Sequence, residues 1–175
     1  MRALLTSIIY ALIPLGSALC IPTPPTATEL LQRLSPATIA YLGDSVFELA
    51  VRQKYMWPPA KIDLVNSRVT SIVRAEGQYT ILCRLVDDFG LSDEESEWVR
   101  RGRNASARGP RRLDPKVYRG STSFEALIGF LHLTDPERLQ SVLDYSLNIA
   151  DEILEQEALE QAAAMEQQEQ DGATE

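Results

Sequence analysis

From Ala27 onward the apolar positions recur every three or four residues, and no stretch alternates with the period of two that a half-buried strand requires. The pattern predicts an all-α fold. A short helix fits Thr28–Leu34. Ser35 then stands as an N-cap before Pro36 at the first helical position, opening a helix to about Tyr55 that Trp57-Pro58-Pro59 ends. Asp63 caps a long helix reaching Phe89, stopped by Gly90. Ser92-Asp93-Glu94-Glu95 reads as a capping box for a helix to about Arg103. A basic loop runs from there to Gly120, a further helix covers Thr122–Leu133, and Asp135-Pro136 starts the last one. That helix continues past Ile153 into Glu155–Gln170, a tract of Glu, Gln and Ala expected to extend into solvent and fray.

The ends divide the chain into three parts. Residues 1–26 form an apolar segment followed by a Pro/Thr linker, Ile21-Pro22-Thr23-Pro24-Pro25-Thr26, which cannot be helical. Residues 27–154 form the helical domain, and 155–175 an acidic tail. Leu4–Cys20 resembles an export signal in its hydropathy. Its basic start is thin, Leu19-Cys20 suits no standard cleavage site, and Pro14 and Gly16 interrupt it, so no stable membrane partner is expected. The expected location is cytoplasmic, with an organellar or exported protein as the alternative if residues 1–20 are a genuine targeting segment.

Charge changes the picture. The chain carries a formal net charge of −8, which alone speaks against a polyanionic partner. Yet eight of its 17 basic residues lie between Arg100 and Arg119, with Asp114 as the only acid, so this stretch carries +7 and the remainder −15. One cationic surface on an acidic body attracts polyanions. The plainer account is a solvated charge run. Two cysteines and one histidine, with no Cys/His cluster, exclude a disulfide framework and a zinc site and leave few ways to build a histidine-activated nucleophile. Carboxylates with a metal remain as hydrolytic equipment.

The Pro36–Tyr55 helix is apolar almost all round. Ile39, Leu42, Val46, Leu49 and Ala50 make a core stripe, while the other side holds Ala37, Ala40, Tyr41, Phe47, Val51 and Tyr55. Such a helix is central or lies between subunits. Asp44 and Glu48, at i and i+4, project from this setting and need a compensating cation, which Arg52 or another arginine could equally supply. Glu125 is similarly ambiguous: a capping box with Thr122 explains it, yet it shares a helix face with Gly129, which permits close approach of a neighbour, and with His132, more simply read as a packed histidine.

Tyr41-Leu42-Gly43-Asp44-Ser45-Val46-Phe47-Glu48 resembles the ribonuclease III signature, and Ser123-Phe124-Glu125-Ala126-Leu127-Ile128-Gly129 is similar to that fold's second catalytic stretch. Between them, Arg101-Gly102-Arg103-Asn104-Ala105 and Tyr118-Arg119-Gly120-Ser121-Thr122 resemble the Mini-ribonuclease III branch, which has no separate double-stranded-RNA-binding domain. The resemblance covers about Ser35 to Ile153. It implies a ribonuclease III-like helical domain, homodimeric, cutting double-stranded RNA to leave 5′-phosphate ends, with precursor large-subunit (23S) ribosomal RNA as the usual substrate. Asp44 and Glu125 match catalytic acids that bring Mg²⁺ to the scissile phosphate, with Glu48 in support behind them. Arg101, Arg103, Asn104, Arg108, Arg111, Arg112, Lys116 and Arg119 would contact RNA. Where ordinary ribonuclease III has further acids, this chain has Ala37, Ala40 and Thr122. The branch lacks the full set too, which leaves the number of metal ions open. Two other readings stand beside this one: a catalytically silent RNA clamp on the same fold, and a helical interaction module whose motifs match by accident.

Overall fold

A computed structural model describes residues 26–106 and 109–172; the apolar segment at 1–20 and Arg108 lie outside the described residues. Seven α-helices and one π-helical turn make up the described chain, with no strand among those residues. No helix there is long and apolar enough to cross a membrane.

Local chemistry accounts for most of the starts. Helix α1 (Ala27–Arg33) opens on a full capping box between Thr26 and Glu29. Helix α2 (Pro36–Tyr55) starts as the sequence predicts, with Ser35 Oγ accepting from the Thr38 amide and proline at its first position. Helix α5 (Asp93–Ala105) carries the Ser92–Glu95 capping box in full. Helix α7 (Pro136–Gly172) is continuous, and its residues from 158 to 168 are all exposed, as expected of a solvated extension.

Two expectations are corrected. The single helix Asp63–Phe89 is in fact α3 (Ile62–Val73), α4 (Ala75–Arg84) and a π-turn over Leu85–Phe89, closed by Gly90 at φ +78°. Arg74, extended at ψ 160°, ends α3 and begins α4 together. Tertiary contacts hold this break open. Arg74 Nη2 and Ser71 Oγ both donate to Glu157 of α7, and Gly77 packs so closely under α3 that a Cβ there would lie 2.4 Å from the Ile72 carbonyl oxygen. The second correction concerns α6 (Pro115–Thr134), which starts seven residues before Thr122. Asp114 accepts from the Lys116 amide at 2.6 Å, ahead of a first-position proline. Lys116 and Arg119 therefore stand on a helix and not in a loop, and Thr122 donates its hydroxyl to the Tyr118 carbonyl and caps nothing.

Helix α6 is the axis of the molecule. Phe124, Ala126, Leu127, Ile128, Phe130 and Leu131 are all buried, between α2 and α4 on one side and α5 on another. Phe47 meets Phe124 edge to face at 4.8 Å, and Trp98 of α5 stacks on Phe130 at 5.3 Å. Buried Glu95 receives Arg138 at 2.7 Å, fixing the start of α7 against α5. The inward side of α2 differs from the expected one. Ile39, Ala40, Phe47, Val51 and Tyr55 are buried, whereas Leu49 is 57% exposed and Tyr41 78%. A helix apolar on both sides offers no periodic signal for which side turns inward; the packing against α6 decides it.

Candidate active site

Two glycines bring the acidic pair together. On α2, a Cβ at Gly43 would lie 1.9 Å from the Glu125 carbonyl oxygen; on α6, one at Gly129 would lie 2.1 Å from the Ile39 carbonyl oxygen. The two backbones touch at positions where no other residue fits. Asp44 follows Gly43, and Glu125 is one turn before Gly129, so this crossing delivers both carboxylates to one place. A third side chain enters from α4, where Gln78 Nε2 donates to Asp44 Oδ1 at 3.2 Å.

The electrostatics are those of negative charge short of a partner. Burial, then the charge of Asp44, pushes Glu125 up to about 7, with the Gln78 amide acting the other way. Burial raises Asp44 as well; the Gln78 hydrogen bond opposes this and Glu48 adds a smaller rise. Glu48 is tied down elsewhere, receiving Arg52 Nη2 at 2.5 Å one turn along α2. Arg52 therefore satisfies Glu48 and leaves Asp44 without a cation. His132 is exposed, two turns beyond Glu125, and does not join them.

No group of three or more acidic, histidine or cysteine side chains able to hold a metal occurs among the described residues. Two carboxylates raised by burial, Glu125 also by the charge of Asp44, with the buried Gln78 Oε1 lacking any hydrogen-bond partner, make an oxygen donor set suited to a hard divalent cation that keeps several waters. Gln78 escaped the sequence reading. Its only signal is spacing: it occupies i of the stripe Gln78, Ile81, Leu82 and Leu85, a polar residue where the period calls for an apolar one.

The basic stretch folds into a groove of about 680 Å³ between the end of α5 and the start of α6. Arg103, Asn104, Arg111 and Arg119 line it, together with Tyr118. Arg101 turns away, bonded to Glu97 at 3.0 Å and lying over the Trp98 ring. Lys116 lies over the Tyr79 ring, beside a smaller cavity of about 290 Å³ that Arg103 also reaches. Arg112 is exposed and outside the groove, and Arg108 lies outside the described residues. Tyr118, Thr122, Glu125 and Gly129 follow one face of α6, so the groove opens at the end of the face that carries Glu125. Along the axis Tyr118 and Glu125 are about 10 Å apart.

The chain matches the family model described as "Ribonuclease III domain" over residues 37–136, a span that holds both carboxylates and the whole basic stretch. It is 46% identical over 119 residues to a Mini-ribonuclease 3 of Synechocystis sp., covering 68% of this chain and 82% of that one. A Mini-ribonuclease 3 of Thermosynechococcus vestitus is 42% identical, covering 68% and 76%. One from Staphylococcus aureus is 34% identical over 128 residues, covering 70% and 93%. A crystal structure of a Fusobacterium nucleatum protein superposes with a TM-score of 0.61 at 26% identity, covering 68% of this chain and 96% of that one.

Proposed function

Because the chain belongs to the ribonuclease III domain family, in its Mini-ribonuclease 3 branch, and is thereby an endoribonuclease, we propose that it cuts double-stranded RNA with Asp44 and Glu125 as its metal-holding catalytic acids. The observation that carries this reading is the Gly43–Gly129 crossing, which brings two under-compensated carboxylates together, with an arginine-lined groove about 10 Å further along α6. The cation is Mg²⁺, and when bound it supplies positive charge at the scissile phosphate. The protein does the rest. Asp44 and Glu125 hold the ion, and Gln78 keeps Asp44 turned toward it. The paired Glu48 and Arg52 stand one turn away and shape the local field. Arg103, Asn104, Arg111 and Arg119 grip the phosphate backbone, with Arg112 and Lys116 at the margins; Arg101 and Arg108 belong to the same basic stretch and are further candidates for RNA contact. A-form RNA is recognised through its shape and backbone, so clustered arginines without base-reading contacts suffice. Water adds to the phosphorus as the P–O3′ bond breaks, and the departing O3′ takes up a proton, leaving 5′-phosphate and 3′-hydroxyl ends.

The working unit is a homodimer. Tyr41 and Leu49 are large apolar side chains that α2 leaves exposed near the site, which supports a second copy docking there. Sedimentation as a monomer at micromolar concentration would contradict this. The substrate is precursor 23S ribosomal RNA and the location cytoplasmic; residues 27–154 form the catalytic unit and 155–175 an accessory tail.

The test is cleavage of an end-labelled, structured precursor ribosomal RNA with Mg²⁺, with EDTA, and with Asp44→Asn. Discrete cuts that need both the metal and Asp44 uphold the reading. Binding without cutting, across several metals and salts, makes the protein a silent clamp instead. Ala37, Ala40 and Thr122, where ordinary members hold acids, would then be the reason.

A further inference from the structure

The acidic pair leaves one polar atom unaccounted for. Gln78 is 1% exposed and sits on the buried stripe of α4; its Nε2 donates to Asp44, while its Oε1 is buried with no partner, alone in this among the side chains of the described residues. Buried polar atoms are almost always hydrogen-bonded, and a leucine would suit this core position better than an amide left half-used. Turning the amide over does not help. Oε1 would then face an ionised Asp44 oxygen, acceptor against acceptor, and the one hydrogen bond the amide makes would be lost. The two ends of a planar amide sit side by side, so the end next to Asp44 carries the other to the margin of the same site.

We propose that Gln78 is a third, neutral oxygen donor of the divalent-cation site it shares with Asp44 and Glu125, a proposal that rests on reading that pair as a cation site. Its Nε2 fixes one oxygen of Asp44 and leaves the other free to face the ion. Its Oε1 offers the uncharged oxygen that hard cations accept from amide carbonyls. The ligand comes from α4, an element that contributes none of the positions at which Ala37, Ala40 and Thr122 stand, so a site short of acids on α2 and α6 is completed from a third side.

The test is calorimetric titration of Mn²⁺ into the RNA-free protein, for the wild type, Gln78→Leu, Gln78→Glu and Asp44→Asn, with thermal melts in EDTA alongside. Gln78→Leu is expected to melt at or above the wild type in EDTA yet bind Mn²⁺ at least tenfold more weakly. Gln78→Glu, which keeps an oxygen and adds a charge, is expected to bind as tightly or more so. Wild-type affinity in Gln78→Leu overturns the proposal. Should that variant fail to fold, Gln78→Glu decides: an amide that served only to donate to Asp44 would be replaced there by a repelling carboxylate, and weaker binding overturns it. A wild type that takes up no Mn²⁺ at millimolar concentration, or an Asp44→Asn protein that binds normally, removes the cation site itself and this ligand with it.

Discussion

Glu125 ties the stability of the protein to the chemistry of its site. Its proton is held in the folded state up to about pH 7, whereas an unfolded glutamate releases it near its ordinary value of 4.5. Between those two values the native state binds the proton and the unfolded state does not, so stability falls as pH rises through the window, by up to about 3 kcal/mol. Asp44 is shifted in the same direction and adds to the trend. In EDTA, Glu125→Gln should therefore unfold with the wild type at pH 5 and at distinctly higher urea at pH 8. Added Mg²⁺ should stabilise the wild type at pH 8 and the variant, which keeps an oxygen but not the charge, clearly less. Equal urea midpoints at both pH values would mean that Glu125 is not under charge stress. The identity of this residue was legible in its sequence context; its strain was not, because a capping box predicts a solvated glutamate on the first turn of a helix. Here α6 begins seven residues before Thr122 and carries Glu125 to a half-buried position against α2.

At the scale of elements, the α2–α6 crossing sets both the fold and the site. Substituting Gly43 by Ala adds helix propensity worth about 1 kcal/mol, yet places a methyl group 1.9 Å from a backbone oxygen that no rotamer change can relieve. The helices must separate, and Gly43→Ala is expected to cost about 2 kcal/mol net in urea unfolding. Cleavage should fall more than tenfold, since the separation parts Asp44 from Glu125. Gly90 supplies the contrast: its φ of +78° strains any other residue, but a Cβ there meets nothing within 4 Å. Gly90→Ala is expected to lose about 1 kcal/mol and to keep its cleavage rate. Equal effects of the two substitutions on cleavage would deny the crossing its role. The helix starts at Ser35-Pro36, Ser92 and Asp135-Pro136 were readable because a cap is a local device. Asp114-Pro115 carries the same device, but the Arg- and Gly-rich residues around it have weak helical periodicity and hide it. The break at Arg74 has no local signal at all; Glu157, 83 residues away, helps to hold it.

At the scale of the molecule, basic charge is concentrated in one stretch, of which Arg103, Arg111 and Arg119 line a single groove. The groove at the α5–α6 junction draws on a stretch of +7, set against −15 elsewhere, and the exposed end of α7 adds acid without any base. A duplex should therefore approach from one side only. Replacing Arg111 and Arg112 by Ala is expected to weaken duplex binding and to lower the slope of log affinity against log salt by between about 1 and 2, about one for each phosphate no longer neutralised. Arg111 lines the groove and Arg112 does not, so the single variants should divide this loss unequally, with the larger share at Arg111. An unchanged slope in the double variant would remove this stretch from the RNA path.

The sequence alone determined the all-helical class, most helix starts, the segregation of charge and the two acidic motifs, because periodicity, capping and local charge are properties of neighbours along the chain. Only the tertiary structure decided which side of α2 is buried, where α3 and α4 part, and that Gln78 joins Asp44 beside Glu125. Those features depend on two backbones meeting at Gly43 and Gly129, positions 86 residues apart whose contact no local pattern encodes.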